Sequence, residues 1–306
     1  MPKIVTHLNP DLDAITSVWL LVRWLEGWED AEFQFVPAGK TLDKMEPDSD
    51  PDILHVDTGH GKLDHHQVGD YTCAARLTLE YVSNNNPRKK VPESEFADNG
   101  STVHVSHLVW DRQALSRIAD VVTQTDHFQE VHYPDAKADY LDFRAEEIIN
   151  GLKLMYREQD QYVLRLGLKM LDAIYITLVS KVDAETTIAK KGIIFESPFG
   201  KAIAVETKNS QVNDIAQKSG YKLVVRRHPQ QQSVNIKAPP PNLMKGESST
   251  IDLTPLYQTL KAKDPQADWF LHASKTMLLN GSSKNPNMKH TTLSLNEVVE
   301  IIKGLH

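Results

Sequence analysis

The sequence predicts an α/β protein in which a parallel-sheet N-terminal domain is followed by a helical connection and a smaller α+β C-terminal domain. Short apolar runs alternate with helical patterns from Lys3 to about Asp126, as they do in βαβ units. Two long helical patterns follow, and short strands are predicted from Gly192 onward. The predicted boundaries give three parts, which are residues 1–135, 136–190 and 191–306.

The first domain is predicted to open with a buried strand and a helix. Lys3-Ile4-Val5 is a short apolar run that ends in turn residues, which is typical of a buried parallel strand. Apolar residues then recur at helical spacing between residues 13 and 28, which suits a helix packed on a sheet. The remaining predicted elements of this domain are strands at 32–37 and 53–56 and helices at 71–82 and 102–121.

The connector and the second domain have different patterns. Helices at 145–155 and 159–188 are predicted for the connector, and the Met and Leu stripe of the longer helix favours core packing. Pro239-Pro240-Pro241 marks a loop within the second domain. The predicted strands there are 193–195, 202–205, 223–225 and 234–236, with a hairpin-like pair at 269–272 and 277–279. The predicted helices are 212–219, 253–260 and 295–305.

Length and composition limit the possible classes of protein. A chain of 306 residues is long enough for two domains. Its apolar stretches are far shorter than the roughly 20 residues that span a bilayer, and no signal-peptide pattern is visible. Cys73 is the only cysteine, which excludes an internal disulfide and a multi-thiolate zinc site. We therefore expect a cytoplasmic protein without a membrane partner.

Charge is distributed unevenly along the chain. The net charge is −7, but residues 1–190 contain 32 acidic residues against 19 Lys and Arg. Residues 191–306 contain 9 acidic residues against 15 basic ones. An acidic half can hold cations and a basic half can hold an anion. Two unequal solvated surfaces would give the same counts, so charge alone leaves both interpretations open.

Polar residues follow two of the predicted parallel strands, at the point where each strand ends. Ligands of open α/β sheets bind beyond these carboxyl ends. Mg²⁺ and Mn²⁺ prefer carboxylate oxygens, and Mn²⁺ also accepts imidazole. A pair of such ions is best served by a shared carboxylate, for which Asp57 is the natural candidate. The residues that predict a two-metal hydrolytic centre are His7, Asp11, Asp13, Asp57, Asp64, His65 and His66.

These stretches resemble the DHH phosphoesterase superfamily, which includes RecJ-type exonucleases, cyclic-dinucleotide and oligonucleotide phosphodiesterases, and manganese pyrophosphatases. Its first motif, His-x-Asn-Pro-Asp-x-Asp-Ala, resembles residues 7–14. Its second, a strand-terminal aspartate, is similar to Asp57, and its third is similar to Asp64-His65-His66. The first motif is closest to the pyrophosphatases. Three other features are closer to the melanocyte proliferating gene family of exonucleases. They are the short gap between Asp57 and Asp64, the Gln67 that follows the two histidines, and the stretch at 269–274.

The resemblance implies a role for each residue of the centre. One ion is implied to bind His7, Asp11 and Asp57. The other ion is implied to bind Asp13, Asp57, His65 and Asp126. Both ions are expected to be Mn²⁺, with Mg²⁺ as the alternative. Asp126 is the choice for the fourth motif, with Asp120 as the alternative. His66 is implied to face the substrate phosphate, and Asp64 to accept a hydrogen bond from a ligand imidazole.

The resemblance also implies that the second domain closes over the first and binds substrate. The candidate residues are Arg226, Arg227, His228, His272, Lys275 and Gly281. The turn at 280–283 has a single glycine where many members have several, which leaves the substrate class open. Arg226-Arg227 could equally be a solvated strand end, and His272 could equally be a packed core residue.

Three functions remain in competition. The first is a metal-dependent phosphodiesterase that acts on single-stranded nucleic acid or short oligonucleotides, in the manner of an exonuclease, because the basic second half favours a polyanion. The second is a small-molecule phosphohydrolase acting on pyrophosphate or a cyclic dinucleotide. The third is a non-catalytic module that binds metal. A homo-oligomer is compatible with each of them.

Overall fold

The computed structural model describes residues 1–91, 108–247, 251–281, 285 and 287–305. The chain divides into two compact units, Met1–Val179 and Ser180–His306. The first contains a three-stranded parallel sheet followed by helices, and the second contains a six-stranded mixed sheet with its own helices. This architecture confirms the predicted fold class. In the described part of the chain, every helix is too short or too polar to cross a bilayer.

The sheet of the first unit has its central strand at the N-terminus. β1 (Lys3–His7) lies between β2 (Glu32–Val36) and β3 (Ile53–His55), and both neighbours run parallel to it. Lys3 pairs with Glu32 on one side and with Ile53 on the other. The carboxyl ends of β1 and β3 therefore meet at the same edge of the sheet, where the polar motifs begin.

Five helices complete the first unit or lead out of it. They are α1 (Leu12–Trp24), α2 (Ala74–Asn84), α3 (Arg112–Asp126), α4 (Ala145–Met155) and α5 (Asp160–Lys191), which continues into the second unit. Every residue of α1 is buried, because other elements cover it on all sides. A Cβ at Gly167 would lie 2.7 Å from Cγ2 of Ile15, so glycine allows α5 to approach α1 closely.

The third helix differs most from its prediction. It begins at Arg112 rather than near residue 102, because Asp111 caps it by accepting from the Ala114 amide at 3.0 Å. It then continues to Asp126, five residues beyond the predicted end. Residues 102–107 lie outside the described residues. Shorter corrections apply to α1, which ends before the left-handed Gly27, and to α2, which begins at Ala74.

A buried ionic contact fastens α1 to α5 within the first unit. Arg23 donates to both carboxylate oxygens of Asp172, at 3.0 and 2.9 Å, and the Trp19 indole N–H donates at 2.8 Å. All three side chains are buried. Buried charges are tolerated when they are paired and hydrogen-bonded in this way. The contact fixes α1, which begins at Leu12 within the first polar motif.

The sheet of the second unit has the strand order β4-β5-β6-β7-β9-β8. Its strands are β4 (Ile193–Ser197), β5 (Gly200–Glu206), β6 (Leu223–Arg227), β7 (Val234–Lys237), β8 (Phe270–Leu271) and β9 (Met277–Asn280). Among these strands, β5 and β6 pair in parallel and the other neighbours are antiparallel. The hairpin-like pair of the prediction is the antiparallel β8–β9 pair.

Helices cover the two faces of this second sheet. They are α6 (Gln211–Lys218), α7 (Thr254–Lys263) and α8 (Leu295–Lys303). One face, which includes Val225, packs against apolar residues of α7 and α8. The other face, which includes Val224, packs against α6 and Ala184 of α5. Burial on both faces explains why β5 is apolar along its centre.

Candidate metal centre

Two strand ends and the loops after them form the centre. His7 is the last residue of β1, and Asp11 caps α1 by accepting from the Ala14 amide at 3.0 Å. Asp57 follows β3 by two residues and has a left-handed backbone with φ +53°. Such a conformation costs energy in a residue other than glycine and is common at functional sites. The residues that follow β1 and β3 therefore place their carboxylates at the same edge of the sheet.

A tight loop after Asp57 folds back, so that Leu63 pairs with the strand end and Asp64 follows next to it. The Asp57 amide donates to the Leu63 carbonyl at 3.0 Å, and Val56 bridges to Leu63. Gly59 in this loop has φ +82°, and a Cβ there would lie 2.9 Å from Cγ2 of Thr41. Glycine thus allows the turn and the close packing together. The loop brings the Asp64-His65-His66 motif next to Asp57.

The first group of the centre contains His7, Asp11 and Asp57. The Nε2 atom of His7 lies 3.3 Å from Oδ2 of Asp57 and 3.7 Å from Oδ2 of Asp11. Its Nδ1 atom donates to the Leu8 carbonyl at 2.8 Å. This backbone contact fixes the ring so that Nε2 is the nitrogen available to a metal. One ligand atom from each of the three residues lies within 4.8 Å of the other two.

The second group surrounds His65. Its Nε2 atom lies 3.5 Å from Oδ1 of Asp57, 3.6 Å from Oδ2 of Asp126 and 3.7 Å from Oδ2 of Asp13. The two oxygens of Asp57 therefore face different imidazoles, since Oδ2 faces His7, whereas Oδ1 faces His65 and lies 3.7 Å from Nδ1 of His66. A carboxylate in this position can be shared between two ions.

Asp13 has a second role that the sequence did not indicate. Its two oxygens accept from the Ala74 and Ala75 amides, each at 2.7 Å, so it caps α2 from a distant part of the chain. The side chain is buried. Asp13 can offer a metal only the oxygen lone pairs that these two hydrogen bonds leave.

Asp64 orients His66. It was expected to accept a hydrogen bond from a metal-ligating imidazole, and its Oδ1 accepts from Nδ1 of His66 at 2.7 Å. A ring nitrogen of His66 lies within 4.8 Å of ligand atoms of Asp57 and His65, so its part in metal binding stays a prediction. The His60 and His66 amides also donate to Asp64, at 2.7 and 3.1 Å. The buried carboxylate can reach His66 because the two residues are separated by a single position in a tight turn. The His66 side chain itself is 55% exposed.

The structure separates the two candidates for the fourth motif. Asp126 is the last residue of α3 and faces His65. Asp120 lies more than one and a half turns earlier and pairs with Arg76 on the surface. Asp126 is thus the one whose carboxylate lies within the centre.

Crowding of negative charge perturbs the carboxyl groups. Burial, followed by the charge of Asp57, raises the pKa of both Asp11 and Asp13. Burial and the charge of Asp57 also raise the pKa of Asp126, although His65 opposes the shift. Burial would raise the pKa of Asp57 as well, but the close imidazoles of His65 and His7 hold it below its usual range. Among these four carboxyl groups, Asp57 is therefore the one whose ionised form is favoured.

The imidazoles respond in the opposite direction. Burial disfavours a charged His7, but the Asp57 hydrogen bond and the Asp11 charge raise its pKa to about 9. The carboxylate of Asp57, 3.5 Å away, raises the pKa of His65 to about 9, against the effect of burial, with help from Asp126. Positive charge is thus strongly stabilised at both ring nitrogens that face Asp57.

A pair of divalent cations fits these residues. Oδ1 of Asp57 and Nε2 of His65 are buried atoms without a hydrogen-bond partner among the described residues. Polar atoms buried in this way are costly unless a ligand, ion or water satisfies them. The donor set of carboxylate oxygens and imidazole nitrogens is the one that Mn²⁺ accepts. An open pocket of about 290 Å³ adjoins the first group and is lined by His7, Asp11, Ala38, Gly39, Asp57, His60 and His66.

Sequence reasoning missed His127. A ring nitrogen of this residue lies within 4.8 Å of ligand atoms of His65 and Asp126. The residue follows Asp126 directly, in the position that ends α3. Its position next to Asp126 could have indicated a ligand. The predicted helix ended at residue 121, however, so the prediction did not place both residues at a helix end.

The residues expected to bind substrate lie at two opposite ends of the second sheet. The register places Arg227 opposite Val234, and Val234 opposite Asn280. The end defined by these pairs carries Arg226, Arg227, His228 and Gly281. His272 and Lys275 lie at the other end, near the start of β9. The structure does not bring the six residues together.

Several of these side chains also have local partners. Arg226 and Arg227 are on opposite faces of β6, because strand residues alternate. Nη1 of Arg226 donates to the Thr207 carbonyl at 3.3 Å, and Nη1 of Arg227 donates to Glu206 at 2.5 Å. Lys275 pairs with Asp252 at 3.0 Å.

The two histidines and the glycine have structural roles in turns. Nδ1 of His228 accepts from the Gln231 amide at 3.1 Å, and Nδ1 of His272 accepts from the Ser274 amide at 3.1 Å. Gly281 has φ +83°, and a Cβ there would lie 2.7 Å from Nε2 of His290. These contacts explain why such residues stand in the turns without assigning them a ligand. Residues 282 and 283 of the predicted turn lie outside the described residues.

Comparison with known proteins gives distant similarities only. No protein-family model matches the chain, and no curated protein matches it. Among solved structures, the chain is similar to an uncharacterized protein from Helicobacter pylori, with 10% identity, a TM-score of 0.26 and coverage of 100% and 99% of the two chains. It is similar to the DHH domain of a protein described as a member of a family of ribosomal proteins, with 14% identity, a TM-score of 0.31 and coverage of 98% and 85%.

A third similarity is to RecJ in complex with Mg²⁺ from Thermus thermophilus, with 13% identity and a TM-score of 0.30. It covers 98% of this chain and 49% of that one. Similarities at this level define neither a family nor an activity. The function proposed below therefore depends on the geometry of the centre.

Proposed function

We propose that this protein is a two-metal phosphoesterase of the DHH type, which hydrolyses phosphodiester bonds in single-stranded nucleic acid or short oligonucleotides. One observation carries the proposal. The two oxygens of the buried Asp57 face two separate imidazoles, and each imidazole also faces at least one further carboxylate. A shared carboxylate between two such groups is the arrangement that a pair of divalent ions requires.

The ligands divide between the two groups. One ion is proposed to bind His7, Asp11 and Asp57, and the other to bind Asp57, His65, Asp126 and the remaining lone pairs of Asp13. Bound divalent ions lower the pKa of water and neutralise phosphate oxygens. The protein contributes a fixed donor set, because the Leu8 carbonyl orients His7 and the amides of α2 hold Asp13.

His66 is the proposed contact to the reacting phosphate. Its Nδ1–H is held by Asp64, so Nε2 is the nitrogen that is free to meet a substrate. In its protonated form, Nε2–H donates to a phosphate oxygen and can pass its proton to the leaving alkoxide. Asp64 fixes the orientation of the ring, because its buried carboxylate accepts from Nδ1–H on the opposite side. Half-exposure of the side chain gives a substrate access to it.

Two observations favour an oligonucleotide over pyrophosphate. The basic excess after residue 190 suits a polyanion. In addition, the Tyr71 ring is 60% exposed and lies 4.5 Å from the ring of His127, at the border of the centre. An exposed aromatic ring beside a phosphate-binding site offers a stacking surface to a nucleobase. Pyrophosphate has no group that would use it.

The test is turnover with Mn²⁺ on three substrates, which are an end-labelled single-stranded oligonucleotide, pyrophosphate and a cyclic dinucleotide. The proposal expects shortening of the oligonucleotide by the wild type. Asp57→Asn should slow this shortening about 10³-fold, whereas Asp120→Asn, an aspartate change outside the centre, should leave it unchanged. Hydrolysis of pyrophosphate alone would make the protein a small-molecule phosphohydrolase. Metal binding without turnover of any substrate would favour the non-catalytic module.

A further inference from the structure

The ring of His127 is fixed beside the centre by two contacts. Its Nε2 atom lies 2.9 Å from the Thr72 carbonyl oxygen, which can only accept, so Nε2 carries the hydrogen. The Tyr71 ring packs on its face with a centroid distance of 4.5 Å. The main-chain amide also donates to the Thr123 carbonyl at 3.1 Å, at the end of α3. Both the ring and its backbone are therefore held in place.

The tautomer leaves a lone pair for a ligand. When Nε2 of a neutral imidazole donates a hydrogen bond, Nδ1 is the nitrogen with the free electron pair. A ring nitrogen of His127 and ligand atoms of His65 and Asp126 lie within 4.8 Å of one another. The His65 and His127 ring centroids are 6.4 Å apart, which leaves room for an ion between their nitrogens. The backbone carbonyl of Thr72 acts as the orienting partner that ligating histidines usually have.

We propose that His127 is an additional metal ligand, which gives the ion bound by His65 and Asp126 a second imidazole and selects Mn²⁺ over Mg²⁺ there. Imidazole suits transition metals, whereas Mg²⁺ prefers oxygen ligands and keeps its waters. The inference rests on the proposed two-metal function and adds the metal preference of one of its two sites. His127 is one residue away from Asp126, so a single turn at the end of α3 supplies two ligands.

Two substitutions distinguish a role of His127 as a metal ligand from a role as a purely structural hydrogen-bond donor. The side-chain amide of Gln reaches the position of Nε2, so His127→Gln keeps a donor for the Thr72 carbonyl and removes the ligating nitrogen. The amide of Asn reaches the position of Nδ1, so His127→Asn removes this donor. If the only role of His127 were its hydrogen bond to the Thr72 carbonyl, the His127→Gln variant would bind metal like the wild type. His132→Gln, at an exposed histidine five residues away, is the matched control.

The experiment is calorimetric titration of the metal-free protein with Mn²⁺ and separately with Mg²⁺. We expect His127→Gln to weaken Mn²⁺ binding at one of two sites by about 10–100-fold, the range typical for loss of an interaction that supports a metal. Mg²⁺ affinity should stay within about threefold, because Mg²⁺ makes little use of imidazole. His132→Gln should match the wild type with both ions.

The outcomes distinguish the two proposals. If the wild type binds two Mn²⁺ ions and His127→Gln binds them with unchanged affinity, the inference about His127 is wrong and the two-metal function stands. An equal loss for Mn²⁺ and Mg²⁺ would also contradict it, because selectivity would then lie elsewhere. If the wild type binds no Mn²⁺, the two-metal function itself fails.

Discussion

The candidate metal centre of the first unit and the cationic residues of the second unit were both predicted from sequence, but the structure brings only the first set of side chains together. The six predicted ligands of the first unit converge around Asp57 and His65. The six predicted substrate residues of the second unit are divided between two ends of one sheet. Short spacing at the ends of parallel strands is therefore a stronger signal of convergence than isolated basic residues are.

Hydrogen bonding gives a second, partial contrast. In the first unit, Oδ1 of Asp57 and Nε2 of His65 are buried without partners among the described residues. In the second unit, the charged ends of Arg227 and Lys275 pair with Glu206 and Asp252, and the buried Nε atoms of Arg226 and Arg227 have no hydrogen-bond partner among the described residues. Unsatisfied atoms call for a ligand, ion or water, and those of the first unit lie among several potential metal ligands. The difference suggests experiments that act on one region and spare the other.

The largest effect should come from Asp57→Asn. Loss of the shared carboxylate removes charge stabilisation of several kcal/mol, so activity should fall roughly 10³-fold. Thermal stabilisation by Mn²⁺ should disappear in the same variant, because the ligand shared by both groups has lost its charge. Differential scanning fluorimetry with and without Mn²⁺ measures this effect. Retention of both activity and stabilisation would show that the two groups do not share Asp57.

A smaller effect is expected from Asp64→Asn, which changes the partner of His66 and leaves the ligands in place. Turnover should fall about 10–100-fold, as is typical when an orienting hydrogen bond is lost, while Mn²⁺ affinity stays within about threefold. Steady-state kinetics and metal titration separate the two quantities. A parallel loss of metal affinity would instead place Asp64 among the groups that support the ions.

The second unit supplies a matched pair, Arg226→Gln and Arg227→Gln. The two side chains lie on opposite faces of β6, and Arg227 is engaged by the carboxylate of Glu206 whereas Arg226 contacts a main-chain carbonyl. We expect Arg226→Gln to raise the KM for an oligonucleotide about tenfold, as loss of one desolvated phosphate contact does. Arg227→Gln should change it less than about twofold. Equal effects would remove the distinction between the two faces.

The smallest effect concerns pH and the metal-free protein. The pKa values of His7 and His65 are raised to about 9, so their protonation stabilises the fold fully below the unfolded value of about 6.5. That stabilisation is lost as the pH rises toward 9. The Tm in EDTA should therefore fall by a few degrees between pH 6.5 and 8.5. The Tm gain from Mn²⁺ should grow over the same window, because metal binding displaces these protons.

The sequence predicted most of the fold and the centre, for identifiable reasons. Apolar runs followed by turn residues located β1 and β3, and the side-chain types after them indicated a metal site. The sequence did not show that Asp13 caps α2, because the two are about 60 residues apart. It also placed the end of α3 too early, and so missed His127. Contacts between distant segments are outside the reach of local patterns.

The most direct test of the shared carboxylate is an anomalous scattering experiment on crystals grown with Mn²⁺. The account predicts two manganese peaks about 3.5–4 Å apart, with one oxygen of Asp57 on each ion. His7 and Asp11 should contact one peak, and His65 and Asp126 the other. A single peak, or two peaks of which only one contacts Asp57, would contradict it.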